Sequence, residues 1–355
     1  MLTVLWWSSI LVAAAQPPVT VEVRPASVAL EQVGPGLRLD VDFVLTNASA
    51  EELTVGAIQL SVRDGAGKLE LQREVNSDGE RPSIAVVGEH VLRPSQPTLI
   101  LNPFQRLDGP LEAAELAFDF KLYGKDEVQH ATLTLHPKKT VATTVRLPLA
   151  GPLWVFDADD FYSHHRRFDF ASPMARGLGF RSNVLRHALD LVPMDERGRT
   201  SEGDPDRNES WFGFGRPVLA AAPGIVVAVV DSRPDSRRLD VALLRTDRMA
   251  MFGNHVVVKL DSGEYALYAH LSQGSVRCKA GDRVRAGQPL GAVGASGGAA
   301  IPHLHFELQT TPDADGEGRP VRFRSVRRIL GARVLPAGTA RLDTGEIVEA
   351  APEAR

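Results

Sequence analysis

In several regular stretches of this chain, apolar residues alternate with polar ones, the period of a half-buried β-strand and not of a helix. Residues 19–23, 37–45, 57–62, 116–122 and 132–135 read as strands, with turn residues between them at Asn47, at Asp64 before Gly65, and at Gly124 to Asp126. Residues 16–150 are therefore expected to form an antiparallel, immunoglobulin-like β-sandwich. Pro148, Gly151 and Pro152 mark a boundary. Beyond it, residues 188–192, 218–220, 224–230, 255–260, 265–271, 290–293 and 304–308 are further short strands, punctuated by glycine. They predict a small, curved antiparallel sheet over 151–330, so the fold class is all-β. Residues 195–210 and 231–251 are polar inserts expected to be surface loops, of the kind that commonly wall a groove. Residues 331–355 form a C-terminal tail that carries little pattern after about Gly338 and is expected to fray from there.

Within the last strand, Ile301 to Leu308, His303 and His305 are two residues apart and project from the same face, while Leu304 and Phe306 point the other way. Such a pair suits a metal or a proton-transfer site. Seven of the ten histidines lie between His164 and His305, which concentrates ligating groups in the later domain, whereas His90, His130 and His136 form no cluster. With 355 residues there is length for two domains, each able to bury a core. The 40 Lys and Arg against 44 Asp and Glu leave a formal charge of -4, which argues against nucleic acid as a partner. Residues 1–15 are apolar and end in small residues, matching a secretory signal peptide with an Ala-x-Ala site at Ala13 to Ala15. No later segment is apolar enough to span a bilayer, so a periplasmic or extracellular location without a stable membrane span is expected. Cys278, the single cysteine, excludes an internal disulfide and is assigned no role.

Taken in order, Ala188 to Asp190, Pro217 to Ala220 with Gly224, Tyr268 to Leu271, Gly281 to Gln288, Gly291 to Gly294 and His303 to His305 resemble the LytM/lysostaphin-type zinc endopeptidases of the M23 family, over about residues 154–325. The resemblance implies a LytM-type sheet, a zinc ion as cofactor, and hydrolysis of amide bonds in peptidoglycan peptides. It implies Asp190 and His305 as zinc ligands and His270 and His303 as catalytic residues beside a water. The alternative is a non-catalytic LytM-like binding or activator module for another wall hydrolase. The Gly281 to Gln288 segment also resembles biotinyl and lipoyl carrier domains, but it lacks their displayed lysine.

The family's usual first ligand lies four residues before the aspartate, and Arg186 stands there. Arginine has no lone pair to give. His187 is three residues from Asp190, an odd offset that in a strand turns it to the opposite face. Some family members carry a His-Arg-Arg triplet upstream, which His165 to Arg167 resembles, so His165 is assigned as the missing ligand. His164 could exchange roles with it, and Asn183 is a weaker candidate because an amide is a poor zinc ligand beside imidazole.

Overall fold

A computed structural model of the chain describes residues 18–351. The signal peptide expected over 1–15 lies outside the described residues. Among them the only α-helix is the five-residue Pro173–Gly177, so the chain is all-β as the alternation predicts.

The first half contains three sheets around one core. Strands Val19–Arg24, Asp42–Asn47 and Pro97–Leu101 form one sheet, and Val128–Leu135, Glu115–Tyr123, Leu53–Arg63 and Leu69–Asn76 the backbone of a second. Lys138–Thr140, Ala29–Val33, Gly36–Leu39 and Arg106–Leu107 form the third. Glu115–Tyr123 buries every second side chain, and its Phe118 and Phe120 meet Phe43 at ring-centroid distances of 4.7 and 5.1 Å. The stretch 37–45 is two strands and not one. Gly36–Leu39 and Asp42–Asn47 belong to different sheets, because the alternation carries no information about which neighbour each half pairs with.

The second half is built on one long sheet, in which Leu153–Asp157, Leu189–Pro193, Leu304–Gln309, Tyr265–Leu271, Asn254–Leu260 and Gly224–Val230 are consecutive antiparallel neighbours. Asp190 faces His305 and Ala269 faces His305 across the ladders, so the register alone gathers these strands around one point. Leu304, Phe306 and Leu308 point into the main core with Tyr268 and Phe323. The opposite face of the same strand is buried too, and there it carries His305, Glu307 and Gln309. A second apolar cluster of Phe252, Val257, Leu267 and Ala269 covers that side and reaches Phe170, Phe180, Leu99 and Leu101, which joins the two halves.

Among the described residues, the fraying expected after about residue 338 does not occur. Gly338–Ala340 and Ile347–Ala350 pair with Val321–Leu330, and Ile347–Ala350 also pairs with Leu153–Asp157. Val348 and Leu342 are buried, so sparse apolar positions suffice once ladder partners are present.

Candidate functional site

Asp190 occupies the second position of the strand Leu189–Pro193, a strand buried along its whole length. Its carboxylate is the hub of the site. His305 Nδ1 lies 3.0 Å and His303 Nε2 3.2 Å from Oδ1, and His165 Nε2 lies 3.5 Å from Oδ2. All four side chains are buried, and one donor atom each from His165, Asp190 and His305 lie within 4.8 Å of one another. Burial alone would raise the Asp190 carboxyl, but His165 and His303 and the hydrogen bonds from His303 and His305 hold it well below the usual carboxylate range.

His270, the second-last residue of the strand Tyr265–Leu271, has a φ of 59°, a left-handed conformation uncommon for a residue with a side chain. That conformation lets its Nδ1–H donate to the Ser296 carbonyl at 2.8 Å and leaves Nε2 as the ring's lone-pair nitrogen. Burial, reinforced by His303 and His305, pushes its pKa well below the ordinary histidine value, so the ring is neutral. Its centroid is 4.8 Å from that of His303 and 5.7 Å from that of His305. His303 is oriented in its turn by the Ile301 carbonyl, 2.7 Å from its Nδ1.

His165 comes from the turn-rich segment after Leu153–Asp157. Asp157 Oδ2 accepts the backbone N–H of His165 at 3.1 Å and stands 3.0 Å from its Nδ1 and 3.1 Å from that of His164. The His165 Nδ1 contact is an ion-pair approach without hydrogen-bond geometry, and a carboxylate so close to Nδ1 favours the tautomer whose Nε2 lone pair faces Asp190. His164 is 63% exposed, with Nε2 3.9 Å from Asp190 Oδ2, so it stands at the rim and not inside. The hydrogen bond to Asp157 raises its pKa despite partial burial.

His187 is elsewhere. Residues Val184–His187 form a 3₁₀ turn, and the strand starts only at Leu189, so strand parity does not decide its direction. Its Nδ1 is 2.8 Å from Asp159 Oδ2. Burial, with help from Arg38, Arg186 and Arg166 and against the pull of Asp40, lowers its pKa to about 3. Although Asp40, Asp159 and His187 approach one another closely enough for a cation, Arg38 and Arg341 already neutralise those carboxylates. Arg186 is turned away from Asp190 and pairs with Asp42, while Asn183 Nδ2 donates to the carbonyls of His165 and Arg166 at 2.9 and 3.1 Å.

A cavity of about 250 Å³ opens over these groups, lined by His164, His165, Asp190, His270, His303 and His305 and walled by Phe156, Leu239, Met251 and Ile301. Leu239 and Met251 belong to the 231–251 insert, which thus walls the groove; the 195–210 insert does not line it. Cys278 packs against the main core with its thiol pushed up to about 11, chiefly by burial.

Zinc accepts imidazole and carboxylate donors, and bonds of 2.0–2.1 Å in a tetrahedron put donors about 3.3 Å apart. The separations of 3.0 Å from His305 Nδ1 and 3.5 Å from His165 Nε2 to the Asp190 carboxylate match that spacing. The donor set therefore fits a zinc ion. Two residues that surround it were not singled out from the sequence. Glu307, fully buried and 3.9 Å from His305 Nε2, continues the parity of His303 and His305 and could have been found that way. Asp157 gives no such signal, because its role depends on where the following loop returns.

Residues 212–321 match the family model described as Peptidase family M23. Cell division protein DipM of Caulobacter vibrioides is 35% identical over 107 residues, which are 30% of this chain and 15% of DipM. DD-carboxypeptidase/endopeptidase Mpg of Neisseria meningitidis serogroup B is 34% identical over 124 residues, 34% of this chain and 27% of Mpg. The chain thus covers less than a third of either relative. Among solved structures, a catalytic-domain mutant of the prophage-encoded M23 protein EnpA from Enterococcus faecalis is 27% identical, covering 36% of this chain and 79% of that one, with a TM-score of 0.23. The matched segment contains His270, His303 and His305, and the fold adds Asp190 and His165 from outside it. This chain carries a peptidase family M23 domain.

Proposed function

We propose that this protein is an exported, zinc-dependent endopeptidase that hydrolyses amide bonds in peptidoglycan peptides, with His165, Asp190 and His305 as metal ligands and His270 and His303 as catalytic residues. The observation that carries the reading is the convergence of those five side chains on one cavity inside a domain of this family. Three protein ligands leave zinc a position for substrate, and the ion supplies Lewis acidity and brings the pKa of water to about 7. The chain's own residues do the rest. His270, neutral and with its Nδ1–H committed to Ser296, offers Nε2 as a general base. His303, 4.8 Å away ring to ring and with its Nδ1–H committed to Ile301, faces the same cavity with Nε2, which in the doubly protonated ring donates to the oxyanion of a tetrahedral centre. Leu239, Met251 and Phe252 limit water access from the sides. The peptidoglycan substrate follows a relative 30% identical over 151 residues, ShyA of Vibrio cholerae serotype O1, whose name is that of a peptidoglycan DD-endopeptidase. Among the described residues no helix is long and apolar enough to cross a membrane.

Metal analysis of purified protein, paired with mass spectrometry of fragments released from defined peptidoglycan, tests this. One zinc per chain and new peptide termini that vanish in His303→Ala are expected. Absence of bound zinc together with unchanged peptidoglycan would overturn it. Stimulation of a separate hydrolase by both parent and His303→Ala, without cleavage by either, would establish the activator alternative.

A further inference from the structure

The segment that delivers His165 has no strand or helix of its own between Ala158 and Phe168. Besides contacts within the second half, such as those of Thr344 with Ala158 and Asp160, it has several anchors in the N-terminal half. Arg166, the neighbour of His165, gives both terminal guanidinium nitrogens to Asp42, at 2.6 and 2.8 Å, and a further bond to the Val41 carbonyl at 3.2 Å. Arg167 donates to the Val86 carbonyl at 3.2 Å, and Gln105 donates to the Asp159 carbonyl at 3.2 Å. Phe168 and Phe170 pack in the cluster that contains Leu99 and Leu101. Asp42 also accepts from Arg186, the residue at the position where the resemblance leads one to expect a ligand. One carboxylate therefore holds the arginine that displaced the usual ligand and the loop that supplies its replacement.

Resting on the assignment of His165 as a ligand, we infer that Asp42 is a positioning residue for the metal site, and that the N-terminal half is a working part of that site and not a detachable targeting module. Asp42, Arg166 and Arg186 are each at most 1% exposed, and Asp42 is the only acidic partner of either arginine among the described residues. A buried ion pair contributes little net stability compared with apolar packing, but breaking one leaves uncompensated charge. What the bidentate arrangement supplies is direction: two parallel N–H···O bonds fix the plane of the Arg166 guanidinium, and with it the backbone one residue from His165. Asn183 closes the other side by holding the carbonyls of His165 and Arg166. Groups that orient a ligand typically govern metal affinity by 10–100-fold.

The test uses the full chain with Asp42→Asn, zinc affinity read by competition with a chromogenic chelator, and hydrogen exchange of residues 158–168. Zinc affinity weakened by about 10–100-fold, with faster exchange confined largely to that segment, is expected. Leu45→Ala, a buried apolar truncation on the same strand as Asp42, is the control: it should lower the melting temperature without changing zinc affinity. If Asp42→Asn does not fold, Arg166→Lys, which keeps the charge but cannot span both oxygens, takes its place. Unchanged zinc affinity in the Asp42 or Arg166 variant, or an equal loss in Leu45→Ala at matched melting temperature, would overturn the inference. A parent protein that binds no zinc would instead refute the metal-site reading, and unaltered exchange over 158–168 would then refute the clamp separately.

Discussion

His165→Ala separates the ligand assignment from its closest rival, His187→Ala. His165 Nε2 stands 3.5 Å from the Asp190 carboxylate, whereas His187 is bonded to Asp159 at 2.8 Å and lies outside the cavity. A structural zinc site with four protein ligands is worth about 10–16 kcal/mol at neutral pH, so one ligand carries about 2.5–4 kcal/mol if they share equally. Loss of His165 should then weaken zinc binding by about 10²–10³-fold. His187→Ala removes a buried ring and one hydrogen bond, which costs stability of about 1–3 kcal/mol but touches no donor atom. His164→Ala should also keep zinc, since that ring is 63% exposed at the rim. Chelator competition on the three purified variants, with thermal melts alongside, reads both quantities. Retention of zinc by His165→Ala together with its loss in His187→Ala would refute the reasoning, because it would put the donor in a place where the structure shows an arginine-flanked carboxylate.

Three further outcomes follow from the same geometry. Glu307→Gln should weaken zinc binding by about 10–100-fold through its effect on His305, measured by the same titration; burial opposes protonation of His305, but Asp190 and Glu307 together raise its pKa to about 9. His187 titrates at about 3 when folded against an ordinary 6.5, so the unfolded chain takes up its proton first and stability falls as pH drops below 6.5. That loss reaches up to about 3 kcal/mol by pH 4, and His187→Gln should flatten this part of a denaturant-midpoint profile; an unchanged slope would count against it. Tyr268→Phe leaves the Ala221 N–H, now 2.7 Å from the phenol oxygen, buried without a partner and should cost about 1–3 kcal/mol in urea unfolding.

Alternation along the chain was enough to identify an all-β protein and to place His303 and His305 on one strand face, because side-chain direction in a strand is a local property of period two. The motif order named the family, and with it Asp190 and His270. Glu307 was within reach of the same parity argument. Strand partners were not: residues 37–43 alternate without interruption, yet Asp40 lies where the chain leaves one sheet for another. The C-terminal strands were missed because their stability comes from ladder bonds to Leu153–Asp157 and Val321–Leu330, which no local pattern reports.

The first-ligand position shows the division most clearly. From residue types alone, Arg186 was excluded by its chemistry, and His165, His164 and His187 stayed in competition. Their relative merit depends on a loop whose course is set by Asp42, 124 residues from Arg166 in sequence, and on a 3₁₀ turn that replaces the expected strand before Leu189. Local stereochemistry is written in neighbouring residues. The meeting of a loop with a carboxylate from the other half of the chain is written only in how the two halves pack, and it is there that His165 is set beside Asp190 and His187 is taken away from it.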